Sequence, residues 1–132
     1  MATHILIVDD SAMVRRQVGA ALRAAGYVTV DAVDGADADA KVTADTALIV
    51  CDVNMPKMNG LELLEHLGRK PETARIPVVM LTTEGQPELI QRAKALGAKG
   101  WLIKPFKAEL LIAVAKKLAG PVGILTDVTA AR

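Results

Sequence analysis

Three aspartates, a threonine and a lysine carry the chemistry open to this sequence. Asp9 and Asp10 follow the apolar run His4–Val8, and Asp52 ends the run Ala47–Cys51. Thr82-Thr83 closes Val78–Leu81, and Lys104-Pro105 closes Trp101–Ile103. Held together without a partner, three carboxylates repel, and at least one is driven towards protonation. A hard divalent cation removes that penalty. Magnesium takes oxygen ligands, retains several waters and bridges one or two carboxylates to a phosphate. A carboxylate can also be the nucleophile that becomes an aspartyl phosphate. Asp52, alone at the end of a central run, is the candidate nucleophile, which leaves Asp9 and Asp10 as the ligating pair. An ammonium beside a strand-end proline should swing to solvent unless something negative holds it. A phosphoryl group would hold Lys104, and Thr82 could donate its hydroxyl to a phosphoryl oxygen, because catalysis of this transfer is mainly positioning and electrostatics.

Singly, each residue also has a plain structural reading. Asp9-Asp10-Ser11 suits a helix N-terminus, where acids and a capping serine are favoured in any case. Asp52 before Asn54-Met55-Pro56 could be turn chemistry, and a threonine ending a strand is usually structural. The chemistry exists only if the runs are parallel strands whose ends meet.

The pattern along the chain supplies that arrangement. Ser11 is an N-cap, and Met13, Val14, Val18, Ala21, Leu22 and Ala25 recur at helical spacing up to Gly26. Tyr27–Val33 alternates as a half-exposed edge strand would. The Ala- and Asp-rich segment 36–42 predicts a short, soft helix. Gly60 opens a helix with Leu61, Leu64 and Leu67 inward, and Pro71–Pro77 reads as a connector. Pro87 begins the next helix, with Leu89, Ile90, Ala93 and Leu96 inward and Gly97 as its cap. The last helix runs from Lys107 to Ala119, with its inward face on Leu110, Leu111, Val114 and Leu118 and with Ile112 on the far side. Gly120-Pro121 stops it. Five strands alternating with five helices predict an α/β fold, a doubly wound parallel sheet covered on both faces. Ligands then bind beyond the carboxyl ends of the strands. The expected organisation is one domain over 1–119, with 120–132 a loosely ordered tail.

With those residues in place, the segments Val8-Asp9-Asp10-Ser11, Cys51–Gly60, Leu81-Thr82-Thr83-Glu84 and Lys104-Pro105-Phe106 resemble the signature of response-regulator receiver domains. The nearest likeness is to single-domain, CheY-like chemotaxis regulators, and it runs from about His4 to Ala119. The resemblance implies the flavodoxin-like strand order 2-1-3-4-5. It implies that Asp52 is the phosphoacceptor for a histidine kinase. Magnesium would be held by Asp10, Asp52 and the backbone carbonyl of Asn54, with Asp9 acting through a water. Lys104 would contact the phosphoryl oxygens, Thr82 would be the switch hydroxyl, and Lys104–Pro105 would be cis. Asn54 and Glu84 stand at the positions that tune autodephosphorylation. The departure is Trp101, at the position of the family's switch aromatic, commonly tyrosine or phenylalanine: an indole carries only an N–H donor and has no phenolic oxygen. The resemblance implies that the Trp101 fluorescence responds to magnesium or to a phosphoryl mimic such as beryllofluoride.

Composition narrows the classes. A chain of 132 residues is one ordinary domain, and with 52% apolar but 2% aromatic residues its core must be aliphatic. A net charge of +1 argues against a nucleic-acid surface. The lone Cys51 sits in a strand-like run, where a buried thiol is expected. No leader and no run near the roughly 18 apolar residues of a membrane span is seen, so a cytoplasmic location is expected. The resulting expectation is a phosphorylation-controlled binding module, not an enzyme, monomeric or weakly dimeric. It would dock on a partner such as a flagellar switch component through helix 86–97, strand 100–103 and helix 107–119. A phosphorelay intermediate or phosphate sink serving a histidine phosphotransfer protein is the alternative. A haloacid-dehalogenase-like phosphatase is more remote, because that family puts its nucleophile on the first strand and its acidic pair late. A flavodoxin-like FMN carrier lacks its phosphate loop here.

Overall fold

The computed structural model describes residues 4–53, 59–83 and 87–120. In chain order these form β1 (His4–Val8), α1 (Ala12–Ala24), β2 (Val28–Ala32), α2 (Gly35–Lys41), β3 (Thr46–Asp52), α3 (Gly60–Gly68), α4 (Pro71–Ala74), β4 (Val78–Thr83), α5 (Pro87–Ala95), β5 (Gly100–Lys104) and α6 (Ala108–Ala119). The five strands pair in parallel in the order β2-β1-β3-β4-β5. The expected α/β architecture and strand order are therefore those observed.

Successive side chains of a strand point to opposite faces, and here that alternation fills two separate cores. Leu6, Val8, Ile49, Cys51, Val78 and Met80 join one cluster, with Leu61, Leu64 and Leu67 of α3 and Ala93 of α5. Ile5, Ile7, Leu48, Val50, Val79 and Leu81 join the other, with Val18 and Leu22 of α1 and Leu111 and Ala115 of α6. This explains why β1, β3 and β4 are apolar at nearly every position. Each fully buried Leu, Ile or Val contributes about 1.5–3 kcal/mol. That stabilisation holds the strand ends in fixed register. Val8 pairs with Cys51, Cys51 with Met80, and Thr83 with Lys104.

Several local expectations are corrected. Pro71–Pro77 is not a plain connector, because Pro71 starts the one-turn helix α4, making six helices among the described residues where five were expected. A proline is preorganised for a first helical turn, and the Thr73 hydroxyl ties α4 back by donating to the Leu67 carbonyl at 2.7 Å. Leu110 is 54% exposed and does not face inward. The inward stripe of α6 is Leu111, Val114, Ala115 and Leu118, and Ile112, half-buried, lies outside it. The last helix begins at Ala108, with Lys107 as an N-cap that makes no side-chain cap bond. The edge strand is Val28–Ala32, and Tyr27 before it is buried, donating from its hydroxyl to the Gly120 carbonyl at 2.8 Å.

Candidate functional site

The parallel sheet brings the ends of β1, β3, β4 and β5 to one edge. Val8 and Cys51 are paired, so Asp9 and Asp52 leave adjacent strands at the same level. Asp9 is fully buried and Asp52 is 5% exposed, whereas Asp10 faces solvent. Oxygens of the three carboxylates lie within 4.8 Å of one another.

Asp9 is held from four sides. Its N–H donates to the Ala32 carbonyl of β2 at 3.1 Å, and its own carbonyl accepts from Arg15 Nη1 at 2.6 Å. Its carboxylate accepts from the Ser11 N–H at 2.8 Å and from Lys104 Nζ at 3.2 Å. The Ser11 hydroxyl, as N-cap of α1, accepts from the Val14 N–H at 3.3 Å. Helix α1 therefore starts directly behind the acidic pair.

Asp52 is positioned from the opposite side. Val53 donates to the Leu81 carbonyl at 3.1 Å, and Gly60 to the Val53 carbonyl at 3.0 Å, folding α3 back against the end of β3. A Cβ on Gly60 would collide with the Asp52 carbonyl oxygen, the Met80 methyl and Val53 Cα. Only glycine permits that approach. Asn59 and Glu62 then close a reciprocal capping box at the start of α3.

Lys104 bridges the two buried acids, with Nζ 3.2 Å from Asp9 Oδ2 and 3.3 Å from Asp52 Oδ1. Burial pulls the ammonium down, but the Asp52 and Asp9 charges and its bonds to both outweigh that and hold its pKa above the ordinary lysine value. The Lys104–Pro105 peptide is cis. Burial, reinforced by the Asp52 and Asp9 charges, pushes the Cys51 thiol up, so it is an inert structural group.

Thr82 lies on β4 in register with Ile103, 1% exposed, and its hydroxyl has no hydrogen-bond partner among the described residues. An unsatisfied buried hydroxyl costs free energy and needs a reason. Trp101 is half-buried on β5, with Lys94 Nζ of α5 5.0 Å from its ring centroid.

Asp9, Asp10, Asp52 and Lys104 are thus brought together, and Thr82 lies one residue before the end of the adjoining strand. Asn54 and Glu84 lie outside the described residues. Arg15 and Lys94 were not singled out by the sequence reading, and Gly60 was read only as the start of a helix. Arg15 could have been found from its place four residues after the capping serine, one turn above the acidic pair. Nothing in the sequence pairs Lys94 with Trp101.

The donor set is all oxygen, two buried acids and one open to water, which suits a hard divalent cation that keeps part of its hydration shell. Among the described residues, no helix is long and apolar enough to cross a membrane.

Comparison with known proteins shows the family and the fold. The sequence pattern of the response regulator receiver domain matches residues 5–116. The chain is 41% identical over 102 residues to the gliding motility regulatory protein of Myxococcus xanthus, covering 76% of this chain but only 13% of that protein. It is 39% identical over 111 residues to the chemotaxis protein CheY1 of Helicobacter pylori, covering 81% of this chain and 89% of the relative. The solved structure of Vibrio cholerae chemotaxis protein CheY4 superposes with a TM-score of 0.83 at 40% identity, over 89% of this chain and 99% of that one. The chain belongs to the response regulator receiver domains and, within them, is similar to the CheY-type chemotaxis regulators.

Proposed function

We propose that this protein is a phosphorylation-controlled switch that accepts a phosphoryl group on Asp52 from a histidine kinase. Receiver domains hold magnesium at an acidic pocket, and the Asp9, Asp10 and Asp52 cluster is such a pocket. Asp10, Asp52 and the Asn54 carbonyl would hold the ion, with Asp9 reaching it through a water. When bound, magnesium neutralises charge on the transferring phosphoryl oxygens. The chain's own residues do the rest. An Asp52 carboxylate oxygen attacks phosphorus, the P–N bond of the donor phosphohistidine breaks, and the imidazole leaves with its electron pair. Lys104 moves from its ion pair with Asp52 to the incoming phosphoryl oxygens, keeping its bond to Asp9. The Thr82 hydroxyl donates to a phosphoryl oxygen. Asn54 and Glu84 tune the later hydrolysis.

The observation that carries this reading is the Lys104 bridge between Asp9 and Asp52, beside a buried threonine hydroxyl without a partner among the described residues. A cation and a donor stand ready for an anion at the end of the strand that carries Asp52. The output surface is the face of α5, β5 and α6, where Trp101, Ile103, Phe106 and Leu110 border a groove of about 450 Å³. A chemotaxis partner such as a flagellar switch component would bind there, and the protein works in the cytoplasm. The test is labelling by a small phosphodonor such as acetyl phosphate. Labelling is expected with magnesium, to be lost with a chelator and to be absent in Asp52→Asn. Undiminished labelling of that variant rules out Asp52 as the acceptor.

A further inference from the structure

We propose that Lys94 is a positioning residue for Trp101: its ammonium, stacked on the indole, holds the ring half-buried and sets how readily the ring responds when Asp52 is phosphorylated. The inference rests on the reading of Trp101 as the aromatic that responds to the site.

Trp101 pairs in register with Met80, so it points to the same face of the sheet as Met80 and as Thr82 one rung further on. Its ring packs against the cluster that also receives Leu89 and Leu96 from the α5 side, but it is not part of the buried core. Lys94 is exposed on the last turn of α5, and its Nζ lies 5.0 Å from the ring centroid, inside the roughly 6 Å reach of a cation–π contact. No carboxylate among the described residues pairs with it.

The residue type makes this contact consequential. A tyrosine can be fixed through its hydroxyl, which both donates and accepts. An indole offers one N–H donor and its two faces, so a cation on one face is a restraint it can use. Movement of the ring towards Thr82 takes it off the ammonium and forfeits the attraction. At an exposed position that attraction changes a two-state equilibrium by about two- to fivefold. Lys94 thus opposes the response, and its strength sets the threshold.

Lys94 also sits where a cation favours the helix dipole, a role it shares with Arg92 on the same turn. Arg92 lines the opposite groove, against α3, and serves as the control. Trp101 is the only tryptophan, so its fluorescence reports the ring alone. The experiment titrates beryllofluoride, in saturating magnesium, into the wild type and the variants K94Q, K94R and R92Q. The midpoint of the Trp101 response should fall about two- to fivefold in K94Q. It should stay at the wild-type value in K94R, where a guanidinium still covers the ring, and in R92Q. An unchanged midpoint in K94Q overturns the proposal, as does an equal shift in R92Q, which would mark a helix-charge effect. A flat signal in all four proteins, with binding shown by calorimetry, overturns the responsive Trp101 and the positioning role of Lys94 together.

Discussion

On the β1–β3 side of the sheet edge, Asp9 has its N–H, its carbonyl and both carboxylate oxygens engaged, by Ala32, Arg15, Ser11 and Lys104. On the β4–β5 side, Thr82 keeps a buried hydroxyl without a described partner, Trp101 is half-buried and Ile103 is 43% exposed. Both sides rest on the same two cores, so packing quality does not explain the contrast. A satisfied buried network is rigid, because every alternative arrangement loses hydrogen bonds. A partly satisfied one has a second arrangement available at little cost. The first side suits a preformed receptor for charge. The second suits an element whose state changes when charge arrives, and Lys104 belongs to both.

The contrast can be broken by substitution. Arg15→Met keeps the apolar stem and removes the 2.6 Å charged bond to the Asp9 carbonyl. It should cost about 1.5–3 kcal/mol, as expected for a hydrogen bond to a charged group. Urea unfolding without magnesium measures it, and a loss under about 0.5 kcal/mol would show that Asp9 is not held tightly. Thr82→Val should go the other way. It removes a hydroxyl that is buried without a bond among the described residues, so unfolding should be unchanged or up to about 1 kcal/mol harder. In the same variant the Trp101 response to beryllofluoride should weaken, because the donor is gone. Destabilisation above about 1 kcal/mol would mean that Thr82 is already satisfied in the unphosphorylated state.

The smallest expected effect is a flat pH response from Lys104. Its pKa is raised above 10.5 in the folded protein. A raised pKa on a basic group contributes stability that is complete below the unfolded value and is lost only as pH rises through the folded one. The stability difference between wild type and Lys104→Met should therefore be constant from pH 7 to pH 9. A slope across that window would place the ammonium in a weaker field than the two carboxylates provide.

How much of this was legible beforehand differs residue by residue. The buried strands, the Ser11 cap and the start of α3 at Gly60 follow from local signals of period, capping and turn chemistry. Leu110 was misplaced because period alone fixes the direction of a helical face only to within one residue. The tilt of α6 on the sheet chose Leu111 and Ala115 instead. Helix α4 was missed because one turn has no period to detect, and its stability comes from the buried Thr73 hydroxyl on the Leu67 carbonyl. Arg15 on the Asp9 carbonyl and Lys94 on Trp101 are contacts between elements, which no spacing rule encodes.

The sequence by itself determined the alternation of strands and helices, the single sheet and the chemical kinds of group at its carboxyl edge. Those properties follow from side-chain periodicity and from which residues end each apolar run. Only the tertiary structure decided which of those groups are satisfied. Whether a buried oxygen has a partner depends on angstrom-scale placement of residues tens of positions apart. By that measure Asp9 is locked into its network, while the Thr82 hydroxyl has no partner among the described residues.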